Sequence, residues 1–282
     1  MKTILLGTDF SEVALNASDY AADLACSISA ELYILHVCQM PISYSEIPVP
    51  FKTDDIYENA QENMKELAFH LRKRTKNQVN IVTEIRWENF FSELVDLANQ
   101  IRPFAVILGS KAISKGDQIL FGSHSLYTLR NISWPLIVVP FGVSFKRIQK
   151  IGFACDFKNI VETIPILKIK EIVKLFNAEL KVIHVDPDQD LEILHELKET
   201  QWLKEILKDL HTEFHNLYGD NLENAIQKFT EESQLDLILI VPKKNSLIDQ
   251  IFFNGHTRNL VNHAHFPIMA LQVSCESKAY AL

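Results

Sequence analysis

The chain has 282 residues, of which 47% are hydrophobic and 23% charged, with a formal net charge of −8. That length suits two domains of ordinary size, about 140 residues each. The acidic balance excludes nonspecific binding to nucleic acid or an anionic membrane, because both need a positive field over phosphates.

Four cysteines, Cys26, Cys38, Cys155 and Cys275, share no CxxC spacing and read as reduced thiols. The opening apolar run is too short for a signal peptide. No stretch approaches the roughly 18 apolar residues of a spanning helix. The expected location is the cytoplasm.

In chain order, Thr3–Gly7 is a short apolar run of the kind a buried parallel strand shows. Ala14, Ala17, Ala21, Leu24 and Ile28 then recur at three- and four-residue steps, one apolar face of a helix. Leu32–Val37 is the second strand. A loop with Pro41, Pro48 and Pro50 follows, then an amphipathic helix from Asp54 to about Arg74. Val79–Ile85 alternates as a strand, Phe91–Ile101 is helical, and Ala105–Leu108 and Leu136–Val139 are strands. A loop and a short helix near Gly122–Asn131 join the last two. Strands follow near Lys150–Ala154, Leu180–Val185, Glu213–Leu217, Leu237–Val241 and Ile268–Leu271, with Pro165 in the first turn of its helix.

The second series repeats the first. Asp9-Phe10 returns as Asp156-Phe157, and Ala30-Glu31-Leu32 as Ala178-Glu179-Leu180. Phe121-Gly122-Ser123-His124 matches Phe253-Asn254-Gly255-His256, and Pro135-Leu136-Ile137 matches Pro267-Ile268-Met269. Matched blocks in one order mean duplication, with a shorter middle in the second copy. The expected domains are 1–143 and 147–275. Strands alternating with helices predict an α/β fold in which each copy is doubly wound around a five-stranded parallel sheet, with right-handed crossovers. Ligands in such folds sit beyond the carboxyl ends of the strands, here Asp9, Val37 and Gly109, or Asp156, Val185 and Pro242.

Gly109-Ser110-Lys111-Ala112 is followed, after nine residues, by Gly122-Ser123. With the strand ending in Asp9, the strand end His36-Val37 and the proline-led last strand, this resembles the universal stress protein family in tandem, double-domain form. ATP-binding members of that family carry Gly-x-x-Gly, nine residues, then Gly-Ser or Gly-Thr. The resemblance implies a Rossmann-like domain of the adenine nucleotide alpha hydrolase type that binds ATP or another adenine nucleotide, with magnesium entering only alongside the nucleotide. Asp9 and Val37 would receive base and ribose, with Thr8 beside them in the cofactor-binding set. Gly109, Ala112, Gly122 and Ser123 would line the phosphates, and Lys111 and His124 complete the cofactor-binding set, Lys111 by its charge.

Physical chemistry gives the motif an independent sense. Glycine permits unusual torsions and close approach to the main chain, and free amides at a helix start attract anions. Each residue also has a plainer reading. Asp9 can cap the following helix, and Gly109 and Gly122 can be turn glycines. Ala112 stands where the family has its second glycine. In the second copy Pro242, which has no amide hydrogen, falls near the place of Gly109, and Asn254-Gly255 replaces Gly122-Ser123.

Other signals carry less. His263 and His265 are two apart and would not share a helix face. His36 and His184 recur because the copies recur, and the adjacency of Ser123, His124 and Ser125 does not make a catalytic triad. The resulting expectation is a regulatory, stress-response nucleotide binder without catalytic residues, slow ATP hydrolysis staying open. The alternative is an interaction protein of the same family that binds no nucleotide. Leu136–Val139 and Ile268–Leu271 are candidate pairing edges for an intramolecular pseudo-dimer of the two halves. A homodimer of chains, the preferred nucleotide, the stress and the partner are not readable.

Overall fold

The structure is a computed structural model. It describes residues 1–39, 53–110, 132–155, 164–186, 193–218, 222–242 and 265–272. The chain divides into two compact units, Met1–Gly109 and Ser110–Leu282.

The first unit opens with β1 (Thr3–Gly7), α1 (Glu12–Ser27) and β2 (Glu31–Cys38). It continues with α2 (Thr53–Arg74), β3 (Ile81–Trp87), α3 (Phe90–Ile101) and β4 (Ala105–Ser110), whose last residue opens the second unit. The strands run β3-β2-β1-β4, and every neighbouring pair is parallel. Ile4, Leu5 and Leu6 are fully buried, as a central strand covered on both faces requires. The covers lie on opposite faces. A side chain at Gly7 would meet Leu108 and Phe90 of α3, whereas one at Gly109 would meet Val13 of α1.

Local sequence explains the helices. Ser11, with extended torsions, caps α1 by accepting from the Ala14 amide at 3.3 Å. Asp9 is therefore not the cap. The buried stripe of α1, including Ala14, Ala17, Ala21 and Leu24, is mostly alanine, which lets the helix lie close to the sheet. Asn89 caps α3, accepting from the amides of Phe91 and Ser92 at 2.9 and 3.3 Å. In α2, Asp54 and Asp55 at the start and Arg72, Lys73 and Arg74 at the end complement the helix dipole. Arg74 joins α2 to α1 through two bonds to Asp23, at 2.9 and 2.8 Å, and one to Asp19 at 3.0 Å. Partly exposed ion pairs of this kind contribute about 1 kcal/mol or less each.

The second unit holds β5 (Leu136–Pro140), β6 (Lys150–Cys155), α4 (Ile166–Phe176), β7 (Glu179–Asp186) and α5 (Ile193–Ile206). After these come β8 (Thr212–Tyr218), α6 (Leu222–Ser233), β9 (Leu237–Ile240) and β10 (Ile268–Ala270). Its strands run β5-β10-β9-β6-β7-β8, parallel except for the antiparallel pair of β5 with β10. In that pair Ile268 faces Val138, Met269 faces Ile137 and Ala270 faces Leu136, all buried. The two strands named as pairing edges thus pair with one another. Pro165 sits one position before Ile166, and its carbonyl accepts the amides of Lys168 and Ile169 in the first turn of α4.

The register locates the shorter middle. Leu32 pairs with Ile81, and Leu180 with Thr212. The repeat offset therefore falls from 148 (180 − 32) to 131 (212 − 81) between the second and third strands of each copy. The intervening helix shrinks with it, from 22 residues in α2 to 14 in α5. The expected helix near Gly122–Asn131 lies outside the described residues.

Candidate functional site

In the first unit the chain steps outward from β1 to β2 to β3, then returns to place β4 on the other side of β1. The strand order reverses at β1, and the crevice opens beyond its carboxyl end, beside that of β4. Leu6 is level with Ile34 of β2 and Ile107 of β4. Two steps further, the same register brings Thr8, His36 and Gly109 abreast at the rim.

A tight turn leaves β1 there. The Thr8 amide donates to the Leu35 carbonyl at 2.9 Å, the last ladder bond from β1 to β2. Thr8 is 3% exposed, and its hydroxyl oxygen accepts from the Phe10 amide at 3.1 Å. Asp9 is exposed, with Oδ1 accepting from the Ser11 amide at 3.0 Å. Phe10 takes a left-handed φ of 62°, a conformation that costs a side-chain-bearing residue about 1 kcal/mol. The His36 ring lies 4.4 Å from the Phe10 ring, and its Nδ1 is 2.9 Å from the Thr8 carbonyl oxygen. A carbonyl has no hydrogen to give, so Nδ1 carries the proton and donates.

Val37 follows His36 on β2 and is buried, so only its backbone is suited to meet a ligand. Gly109 closes the rim for a reason other than torsion. Its φ is not in the left-handed region, which among the described glycines only Gly142 occupies. A Cβ at Gly109 would stand 2.5 Å from the Val13 carbonyl oxygen, in the first turn of α1. Glycine is needed there because the α1 backbone is too close for any side chain, which corrects the expectation of a turn glycine. Lys111, Ala112, Gly122, Ser123 and His124 lie outside the described residues.

An ion cluster flanks the site on β3. Arg86, level with Val37, contacts Glu84 at 2.6 Å, Glu93 at 3.0 Å and Asp96 at 2.8 Å. Partial burial works to lower the guanidinium pKa, but hydrogen bonds to Glu84, Asp96 and Glu93 outweigh it and hold Arg86 above the usual arginine range. Its charge is spent on carboxylates, which ties β3 to α3. The His36 contacts have no local signal, since Thr8 and Phe10 come from the β1 end of the chain, and two of the three carboxylates around Arg86 come from α3.

The second unit carries different residues at the matching rim. Cys155 takes the place of Thr8, and His184 that of His36. His184 is 3% exposed, whereas His36 is half-buried. Ile4 pairs with Ala105 and Ile151 with Leu237, an offset of 132 (237 − 105). Val241 therefore stands at the position of Gly109 and Pro242 at that of Ser110, one step from the sequence expectation. Asp156, Asn254 and Gly255 lie outside the described residues.

A separate hollow of about 320 Å³ lies at the amino end of β7, lined among others by Lys174, Asn177, Glu179, Asp209 and His211. Hydrogen bonds from Lys170 and Lys174, at 2.6 Å each, lower the Asp209 carboxyl to about 2. Among the described residues, no group of three or more His, Cys, Asp or Glu is placed to hold a metal ion. No described helix is long and apolar enough to cross a membrane.

Residues 1–140 match the model of the universal stress protein family. The first half of the chain belongs to that family. A universal stress protein of Methanocaldococcus jannaschii is 26% identical over 139 residues, which is 49% of this chain and 81% of that protein. The solved structure of a universal stress protein from Archaeoglobus fulgidus covers 96% of this chain and 98% of its own, at a TM-score of 0.73 and 18% identity. A second solved structure, from Pseudomonas aeruginosa, covers 96% of this chain and 93% of its own, at 0.59 and 13%. These likenesses establish the fold: a mostly parallel, multi-stranded sheet flanked by helices, as in other universal stress proteins.

Proposed function

We propose that the chain is a regulatory universal stress protein, built from copies at 1–143 and 147–275, that takes an adenine nucleotide at the rim of β1, β2 and β4. The observation that carries the reading is the Thr8–Ser11 turn. It holds the Asp9 carboxylate exposed beside the crevice, and Oδ1 alone is engaged among the described residues. A carboxylate there accepts from ribose hydroxyls or a base amine and repels phosphate. That favours the base and ribose at Asp9 and Val37. The phosphates then fall toward Gly109 and the chain that follows it, where Lys111, Ala112, Gly122, Ser123 and His124 are the candidates.

The rim of the second unit favours a single site per chain. Val241 fills the place of Gly109, and Pro242 offers no amide. The antiparallel pairing of β5 with β10 supports an intramolecular pseudo-dimer, in which the last strands of the two copies meet. The second reading is an interaction protein of the same family that binds no nucleotide and works through its dimer-like surface.

Calorimetric titration with ATP, ADP and AMP tests the assignment. Asp9→Ala is expected to weaken binding by about tenfold or more while leaving the melting temperature near that of the parent, since Asp9 is exposed. Unchanged affinity in this variant would remove Asp9 from the site.

A further inference from the structure

His36 touches both neighbours of Asp9. Through Nδ1–H it satisfies the Thr8 carbonyl at 2.9 Å. Thr8 is 3% exposed, so this acceptor has left the sheet ladder without reaching water. Through its ring, tilted by 34° at 4.4 Å, His36 supports the Phe10 side chain. Phe10 holds a left-handed φ of 62°, which a residue with a side chain keeps only when its surroundings enforce it. Between the two stands Asp9, whose carboxylate has one local tie, to the Ser11 amide. The geometry of that carboxylate is thus fixed from the neighbouring strand, across 27 residues of chain (36 − 9).

We infer that His36 is a positioning residue for the ligand site, setting the direction of the Asp9 carboxylate through the Thr8 carbonyl and the Phe10 ring. The inference rests on the nucleotide reading for what Asp9 contacts. For the turn itself it rests only on the contacts above. It gives the histidine a role beyond being a by-product of the duplication. In the second unit, where Cys155 replaces Thr8, His184 is withdrawn to 3% exposure.

Three variants separate the parts. His36→Ala removes both the donor and the ring. His36→Phe keeps a ring against Phe10 without the donor. His36→Asn returns an N–H donor at the same distance along the side chain as Nδ1. Two readouts are taken on the full chain: ATP affinity by calorimetry, and hydrogen exchange at the Phe10 and Ser11 amides without ligand. Thermal melting confirms that each variant folds.

His36→Ala is expected to lose about tenfold in ATP affinity and to exchange both amides faster, with His36→Asn recovering most of each and His36→Phe falling between. The loss is expected to vanish when His36→Ala is made in an Asp9→Ala background, because the histidine acts through Asp9. A loss that persists there overturns action through Asp9. Unchanged amide exchange in His36→Ala overturns the positioning itself, whether or not ATP binds. Absence of ATP binding by the parent protein, with faster exchange in His36→Ala, overturns the nucleotide reading and leaves His36 as the residue that holds the turn.

Discussion

The carboxyl rims of the two units match strand for strand in register but differ where a ligand would touch. In the first, α1 lies so close to β4 that only glycine fits at position 109, and a buried threonine starts a turn that exposes Asp9. In the second, Cys155, Val241 and Pro242 occupy the matching places. Both keep the buried central strand, with Ile151 and Phe153 fully buried as Ile4 and Leu6 are. The two units share the packing that makes each sheet stable and differ in the residues that shape its rim.

Exchanging the rim residues sharpens that contrast most. Gly109→Val places side-chain atoms against the Val13 backbone, which cannot retreat as a flexible side chain would. A loss of about 3 kcal/mol in denaturant unfolding is expected, together with lost nucleotide affinity. Val241→Gly removes a side chain that is 4% exposed and loosens the backbone, for a loss of about 2 kcal/mol. No second nucleotide is expected to bind, because Pro242 still lacks its amide hydrogen. A Gly109→Val protein as stable as its parent would mean that the rims do not differ in packing.

A smaller effect distinguishes the units by pH. Hydrogen bonds from Lys170 and Lys174 lower the Asp209 carboxyl to about 2, below its unfolded value. A depressed carboxyl contributes stability above its unfolded pKa and loses it as pH falls through the folded one. The melting temperature of Asp209→Asn is expected to sit slightly below that of the parent near neutral pH. The gap should close between pH about 4 and about 2. A gap that persists at the acid end would contradict the pairing.

Much of the fold is legible in the sequence. Each described strand falls within about two residues of its expected place, because continuous apolar runs and abrupt polar ends report burial directly. The antiparallel meeting of β5 with β10 follows from two short apolar strands that end their copies. The site is less legible. Ser11 and Asp9 are equally good cap residues by type, and only torsions and distances assign the cap to Ser11. The packing reason for glycine at position 109 is hidden until the Val13 carbonyl is seen against it. His36 looks like a repeat of His184 until its partners on β1 appear. These three depend on contacts between elements distant in sequence, to which periodicity and spacing are blind.

The central claim is one working nucleotide site per chain, at the rim of the first unit. Mass spectrometry of ligand released from gently purified protein, with the molar ratio of nucleotide to chain determined on the same sample after saturation with ATP, tests it most directly. An adenine nucleotide at a ratio near one is expected. A ratio near two would show that the second rim binds despite Val241 and Pro242. No nucleotide, from folded protein exposed to saturating ATP, would contradict the claim and leave the interaction-protein reading in its place.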